Sequence, residues 1–280
     1  MPELPEVETY KRQLKSRLRG RTIEDVNIYW DKIISFPSKE LFISNIRNQK
    51  MIDITRRGKW LMIELSDYYL LIHLRMEGKL FFKNKEIEYS KHEHVIFTLD
   101  NKEELRYHDT RKFGKMHLLL KNEFKESSPL NKLGLEPLDG PLNIEYLKDK
   151  FKNKRIPIKV ALLDQSIITG IGNIYANEIL FLSRINPYTK ANEINEHQLQ
   201  LIIDNTRIVL EKAIELGGTT IRSYVSLDNK RGEFQDELLV HGKKSKPCLN
   251  CNTPIEKTAI GGRGTYYCPN CQMVNKNDIL

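Results

Sequence analysis

The 280-residue sequence predicts an α+β protein built from three unlike parts, and three observations carry that prediction. Apolar residues recur at helical spacing near the start. Short β-like runs follow, separated by polar or glycine-containing turns. Beyond a proline- and glycine-rich stretch come longer helical patterns and a turn-rich end that holds every cysteine. The length suits about two ordinary domains. With 40 % hydrophobic and 29 % charged residues, the composition excludes a disordered chain.

Val7, Tyr10, Leu14 and Leu18 share one face of the first helix, with Pro5 in its first turn and Gly20 past its end. The β-like runs lie around residues 51–55, 60–65, 70–74, 95–99, 105–108 and 116–120. Regular spacing of this kind predicts an antiparallel β-sandwich. Residues 128–141 read as a linker. A helix is expected over 174–184, entered through Gly170-Ile171-Gly172-Asn173. Another is expected over 195–216, where Asn195 and Gln198 have capping-box spacing and Gly217-Gly218 stops it. Its buried face should be Leu199, Ile202, Ile203, Thr206, Val209, Leu210 and Ala213. The expected domains are 1–133, 134–225 and 226–280.

No apolar run nears the roughly 18 residues of a membrane span, and three glutamates in M-P-E-L-P-E-V-E-T do not fit a secretory signal. A cytoplasmic location is expected. Lys and Arg exceed Asp and Glu by 45 to 37, a net charge of +8, and the pI is about 9.1. That excess suits a polyanionic partner. Basic residues cluster in 47–59 and 148–159, which line one groove or form two solvated faces.

Cys248, Cys251, Cys268 and Cys271 form two C-x2-C pairs separated by 16 residues, the pattern of a four-thiolate zinc ribbon. Each pair supplies two thiolates from one tight turn. Four protein ligands leave no open position, so one zinc per chain would be structural. Iron in the same cage and two disulfides are the alternatives, and a reducing compartment disfavours disulfides. Gly261-Gly262-Arg263-Gly264 falls where a hairpin tip belongs, and Arg263 there suits a phosphate. The glycine turn before Asn173 also offers backbone N–H groups at a helix start, a second phosphate seat.

Pro2 after Met1 permits removal of the initiator methionine, which leaves a secondary α-amine. Such an amine titrates near 7.7 to 8.0, so about a tenth is neutral at pH 7. Attack on an aldehyde-like carbon gives an iminium, an electron sink for elimination. Glu3 and Glu6 sit beside it at i, i+3, suited to moving a proton and to orienting the site.

Taken together, M-P-E-L-P-E-V-E-T, R-R-G-K-W, H-L-R-M-E-G at 73–78, R-K-F-G at 111–114, G-I-G-N-I-Y at 170–175 and the cysteine ribbon resemble the formamidopyrimidine-DNA glycosylase family. The resemblance spans nearly the whole chain. It implies excision of oxidised purines such as 8-oxoguanine from duplex DNA, followed by cleavage of the abasic strand through β,δ-elimination. It implies a helix-two-turn-helix domain in the middle of the chain, a monomer, and a nucleoid-associated life in the cytoplasm. Pro2 then corresponds to the Schiff-base nucleophile, Glu3 to the general acid/base, and Lys59 to a hairpin lysine that contacts DNA and assists catalysis, with Glu6 in support. Met76, Arg111 and Phe113 match residues inserted into the duplex when the damaged nucleotide is flipped out. Asn173, Arg263 and Lys159 match phosphate contacts. Residues 226–238 correspond to a cover over the extruded base, and Lys112 is assigned no role.

Two other functions fit parts of this pattern. A non-catalytic zinc-ribbon DNA-binding protein needs no proline amine beside Glu3. An endonuclease VIII-like glycosylase for oxidised pyrimidines typically starts P-E-G-P-E, whereas Leu4 takes the glycine position here.

Overall fold

The computed structural model describes residues 2–124, 129–219 and 231–273. The chain divides into two compact units, Met1–Asn131 with Leu216–Glu233, and Lys132–Glu215 with Phe234–Leu280.

The first unit opens on α1 (Leu4–Leu18), whose Val7, Tyr10, Leu14 and Leu18 are fully buried, as their spacing predicts. Gly20 ends it at φ +84°, a conformation that favours glycine. Then come β1 (Thr22–Ile28), β2 (Ile34–Phe36), α2 (Lys39–Ile46), β3 (Gln49–Arg57), β4 (Trp60–Leu65), β5 (Tyr68–His73), β6 (Lys79–Asn84), β7 (Glu93–Leu99), β8 (Glu103–His108) and β9 (Lys115–Leu120). They form one nine-stranded sheet in the order β2-β9-β5-β4-β3-β1-β7-β8-β6. β1 meets β3 over only two residue pairs, Thr22 with Lys50 and Ile23 with Gln49, before running on beside β7. Both halves of the sheet, together with α1 and α2, bury side chains in one core. Every strand pair is antiparallel as expected except β2 with β9, which is parallel.

The sequence pattern misses β1, β2, β6 and α2. In β1 the buried residues, Ile23 and Val26, are three apart because a bulge between Ile23 and Asp25 breaks the alternation. In α2 only Phe42 and Ile46 are buried, too few for a visible period.

The second unit holds α3 (Ile144–Phe151), α4 (Ile158–Leu162), α5 (Asn173–Leu182), α6 (Glu196–Glu215), β10 (Glu256–Ile260) and β11 (Arg263–Tyr267). Helix α6 starts with the predicted capping box, Asn195 Oδ1 accepting from Gln198 N at 2.9 Å and Gln198 Oε1 from Asn195 N at 3.1 Å. All seven predicted face residues are buried. The described part of the expected linker is not loose. Leu135 bridges Ile168, Gly134 N donates to Gln165 O, and a side chain on Gly134 would overlap the Ile167 carbonyl. Several cations of the basic runs form ion pairs within their own units: Arg47 with Asp25, Arg56 with Glu8, Lys148 with Glu196, Lys152 with Asp149 and Lys154 with Asp164. Among the described residues no helix is long and apolar enough to cross a membrane.

Candidate active site and nucleic-acid interface

Pro2 is buried and leads directly into Glu3, the N-cap of α1, which is also buried. Glu6, one turn on, has both carboxylate oxygens engaged by backbone donors. Oε2 accepts from Glu3 N and Oε1 from Thr219 N, each at 2.7 Å. Glu6 thus fixes the backbone that carries Glu3. The loop behind it is shaped to fit. Gly218 has φ +82°, and a Cβ there would lie 2.7 Å from Glu6 Oε1. Sequence reading sees Gly217-Gly218 only as a helix stop, and the second glycine is also the space that Glu6 needs.

Lys59 lies in the two-residue loop joining β3 to β4. The preceding Gly58 has φ +55°, which a tight hairpin turn with glycine first requires. The lysine is 6 % exposed. Arg56 ties this loop to α1: Nε meets Glu8 Oε2 at 3.2 Å and Nη1 donates to Gly58 O at 3.0 Å. Glu8 is held below the usual carboxylate range, its burial being outweighed by Lys11, Arg56 and Arg12 around it. Neither Arg56 nor Glu8 stood out in the sequence, because charges near a helix start and in a basic run have ordinary explanations.

Met76 sits half-buried in the loop after β5. His73 Nδ1 accepts from Arg75 N at 3.0 Å, with Arg75 at φ +55°. Burial, reinforced by the charges of Arg75 and Lys59, pushes His73 down to about 3, so it stays a neutral acceptor. Arg111 and Phe113 project from the loop between β8 and β9. Phe113 is 49 % exposed and the Arg111 guanidinium stacks 4.7 Å from its ring centre. Thr110 Oγ1 hydrogen-bonds Glu77, so the loops bearing Met76, Arg111 and Phe113 are neighbours.

In the second unit the four cysteine Sγ atoms lie within 4.8 Å of one another, with separations of 3.4 to 3.8 Å for the bonded pairs. A tetrahedral zinc with Zn–S near 2.3 Å places its sulfurs about 3.8 Å apart. The cage therefore fits a structural zinc held by Cys248, Cys251, Cys268 and Cys271, and the cysteines are free thiols rather than disulfides. Strands β10 and β11 pair beside it, and Gly261-Gly262 make the tip with φ +56° and +72°. Arg263 is the first residue of β11 and is exposed.

Lys159 differs from the expectation of a direct phosphate contact. It is fully buried in α4, and its ammonium group donates to Asn177 Oδ1 at 2.5 Å, Thr265 Oγ1 at 2.9 Å and Gly264 O at 3.2 Å. A buried cation needs such partners, and these anchor the hairpin beside Arg263. Asn173, first residue of α5, reaches the same carbonyl, donating from Nδ2 to Gly264 O at 2.9 Å. The glycine turn before it is less open than expected, since Gly170 N donates to Gln165 Oε1 at 2.9 Å. Of the segment expected to cover the base, residues 226–230 lie outside the described residues.

Three family models match the chain: the formamidopyrimidine-DNA glycosylase N-terminal domain over residues 1–116, the formamidopyrimidine-DNA glycosylase H2TH domain over 133–225, and the zinc finger found in FPG and IleRS over 245–274. The chain is 43 % identical to the formamidopyrimidine-DNA glycosylase of Bacillus cereus over 97 % of its own length and 99 % of that protein. It is 44 % identical to that of Shouchella clausii over the same shares. It is also similar to a Lactococcus lactis FPG variant crystallised with Fapy-dG-containing DNA, with a TM-score of 0.92 and 35 % identity over 98 % of this chain and 100 % of that one. The Lactococcus lactis protein with abasic-site DNA matches at 0.92 and 34 %, covering 97 % and 100 %. With its N-terminal turn, hairpin lysine and cysteine cage in the same order along one chain, this protein belongs to the formamidopyrimidine-DNA glycosylase family.

Proposed function

We propose that this chain is a bifunctional DNA glycosylase of base excision repair that removes 8-oxoguanine and formamidopyrimidines from duplex DNA and then cuts the abasic strand. The observation that carries this reading is the N-terminal turn, in which Pro2 precedes a buried Glu3 whose backbone is clamped by Glu6. A DNA-binding module has no use for that clamp. The Pro2 amine attacks C1′ of the damaged nucleotide, the bond from C1′ to the base breaks, and the departing base takes up a proton. The amine gives up its proton, the C1′–O4′ bond then breaks with O4′ taking up a proton, and an iminium to the opened sugar remains. That cation accepts the electrons released when a proton leaves C2′ and the 3′-phosphate departs. A second elimination then frees the 5′-phosphate. Glu3 moves the protons, and Lys59 supports the reaction from its hairpin.

Met76 and Phe113 fill the gap left by the extruded nucleotide, and Arg111 hydrogen-bonds the orphaned base. Asn173 and Arg263 hold phosphates, and Lys159 acts on DNA through the hairpin it anchors. The zinc supplies no chemistry and pins the two cysteine turns. The protein works as a monomer on chromosomal DNA in the cytoplasm.

Single-turnover assays on duplexes carrying 8-oxoguanine or an oxidised thymine test the substrate. A solved Lactococcus lactis relative was crystallised with oxidised-pyrimidine DNA, so both are measured. The expected result is release of free 8-oxoguanine, a gap with phosphate at both ends, and a rate at least about tenfold above that for the pyrimidine, worth about 1.4 kcal/mol of barrier. Binding without base release points to the non-catalytic module, and faster pyrimidine release to the other branch.

Arg263→Ala should weaken damaged and undamaged duplex alike, with the log–log salt slope smaller by about one. An unchanged slope removes Arg263 from the phosphate contacts.

A further inference from the structure

Between the two loops that carry Met76, Arg111 and Phe113 lies a buried polar hub that neither catalysis nor DNA contact accounts for. Asp109 is fully buried at the end of β8. Its Oδ1 accepts from Arg111 N at 2.9 Å, and its Oδ2 accepts from Phe113 N and Gly114 N, both at 2.9 Å, and from Tyr107 Oη at 3.4 Å. One carboxylate therefore receives three backbone N–H groups from a single loop, which holds that loop in one shape without using any side chain displayed on it.

Tyr107 extends the hub to the other loop. Its ring is buried, and a Cβ placed on either Gly78 or Gly114 would overlap its hydroxyl. Gly78 closes the turn bearing Met76 through Gly78 N to Leu74 O at 2.9 Å. Gly114 closes the turn bearing Arg111 and Phe113. On the surface, Thr110 and Glu77 join the same two loops. From behind, His94 Nε2 lies 2.7 Å from Asp109 O. Lys112 completes the arrangement. It takes φ +59° and turns its ammonium group back over the Trp30 ring at 4.1 Å, so the residues on either side, Arg111 and Phe113, face outward.

We propose that Asp109, with Tyr107, is a positioning residue that sets the two loops in register so that Met76, Arg111 and Phe113 enter the duplex as one unit. This rests on the insertion role given to those three side chains above. An exposed Phe on a loose loop would lose conformational entropy at each insertion, and a loop fixed beforehand avoids that cost. The hub touches no reacting atom. Its contribution should appear where a stacked base must be extruded, and fade where no base remains to be displaced.

The test is a double-mutant cycle on the full-length, zinc-loaded protein under single-turnover conditions. Asp109→Asn presents an amide NH2 to N–H donors on one side and keeps the volume. It should slow 8-oxoguanine excision about 10- to 30-fold, while cleavage of a preformed abasic site falls less than about threefold. In a Phe113→Ala background the same substitution should have almost no further effect, because the groups act through one another. Thr110→Val, at an exposed position, removes the surface hydrogen bond to Glu77 that joins the same two loops and keeps the Asp109 carboxylate. It should show the same substrate split at smaller size, which keeps the test available if Asp109→Asn melts early. Equal losses on both substrates, or losses that multiply with Phe113→Ala, would mark the hub as a fold element only and overturn the proposal. Should Phe113→Ala and Arg111→Ala themselves leave excision unchanged, the insertion role fails first, a distinct result.

Discussion

A protein whose Pro2 amine is blocked by one extra N-terminal residue should form no borohydride-stable adduct with 8-oxoguanine duplex, whereas the processed protein should form one that maps to the peptide beginning at Pro2. In the proposed reaction the amine is the nucleophile, and acylation removes its lone pair from attack, so the expected loss is complete rather than graded. Blocking should leave lesion binding within a few-fold, because Glu6 and Thr219 hold the turn without using that nitrogen. Glu3→Gln keeps the shape of the turn and removes proton transfer. Base excision should fall by about 10² to 10⁴, the range for a general acid/base. An adduct that maps to Lys59 in the processed protein, or full trapping by the blocked form, would exclude Pro2.

Removing the metal has the second largest expected effect, and the two units make it separable. Cys268→Ser, or chelation, should release zinc and loosen β10 and β11, since structural zinc contributes about 10–16 kcal/mol in small zinc modules. Lys159 then loses Thr265 and Gly264 as acceptors, and Arg263 loses its fixed place. DNA affinity should drop by about 10²-fold, as expected when the two charge-assisted hydrogen bonds of a bidentate Arg263–phosphate contact, about 1.5 kcal/mol each, are lost. Both tryptophans of the chain, Trp30 and Trp60, lie in the first unit, so their fluorescence reports that unit alone. Its denaturation midpoint should barely move. Normal DNA binding without zinc, or a tryptophan midpoint that falls with metal loss, would contradict this account.

The elements legible in the sequence are those in which one simple period governs burial. The buried stripe Val7, Tyr10, Leu14 and Leu18 of α1 and the seven buried residues of α6 needed only the helical repeat and its end signals. The run at 60–65 matches β4 because nearly all its residues are buried, which makes it an unbroken apolar block. Where a bulge shifts the register, as in β1, or where a helix buries only two side chains, as in α2, the signal falls to the level of any loop. The parallel pairing of β2 with β9 joins three residues to a strand some eighty positions away, and no local pattern encodes that.

The sequence by itself determined what chemistry is carried: a proline at position 2 next to a glutamate, a lysine in a tight hairpin, four cysteines in two turns, and the family those motifs share. These are covalent facts or short-range spacings, so they survive without a fold. Tertiary structure decided which groups are used up in support and which remain for work. Lys159 reads as a cation for DNA, yet folding buries it, and a buried ammonium must take acceptors from its own hairpin. Glu6 reads as one of two neighbouring carboxylates for moving a proton or orienting the site, and two backbone N–H groups, one from 213 residues away, make it a clamp. Asp109 looks like an ordinary acid at the end of a strand until three N–H groups of one loop close on it. In each case the deciding fact is that a buried polar group must be hydrogen-bonded, which depends on what packs over the residue and so is set only when the chain folds.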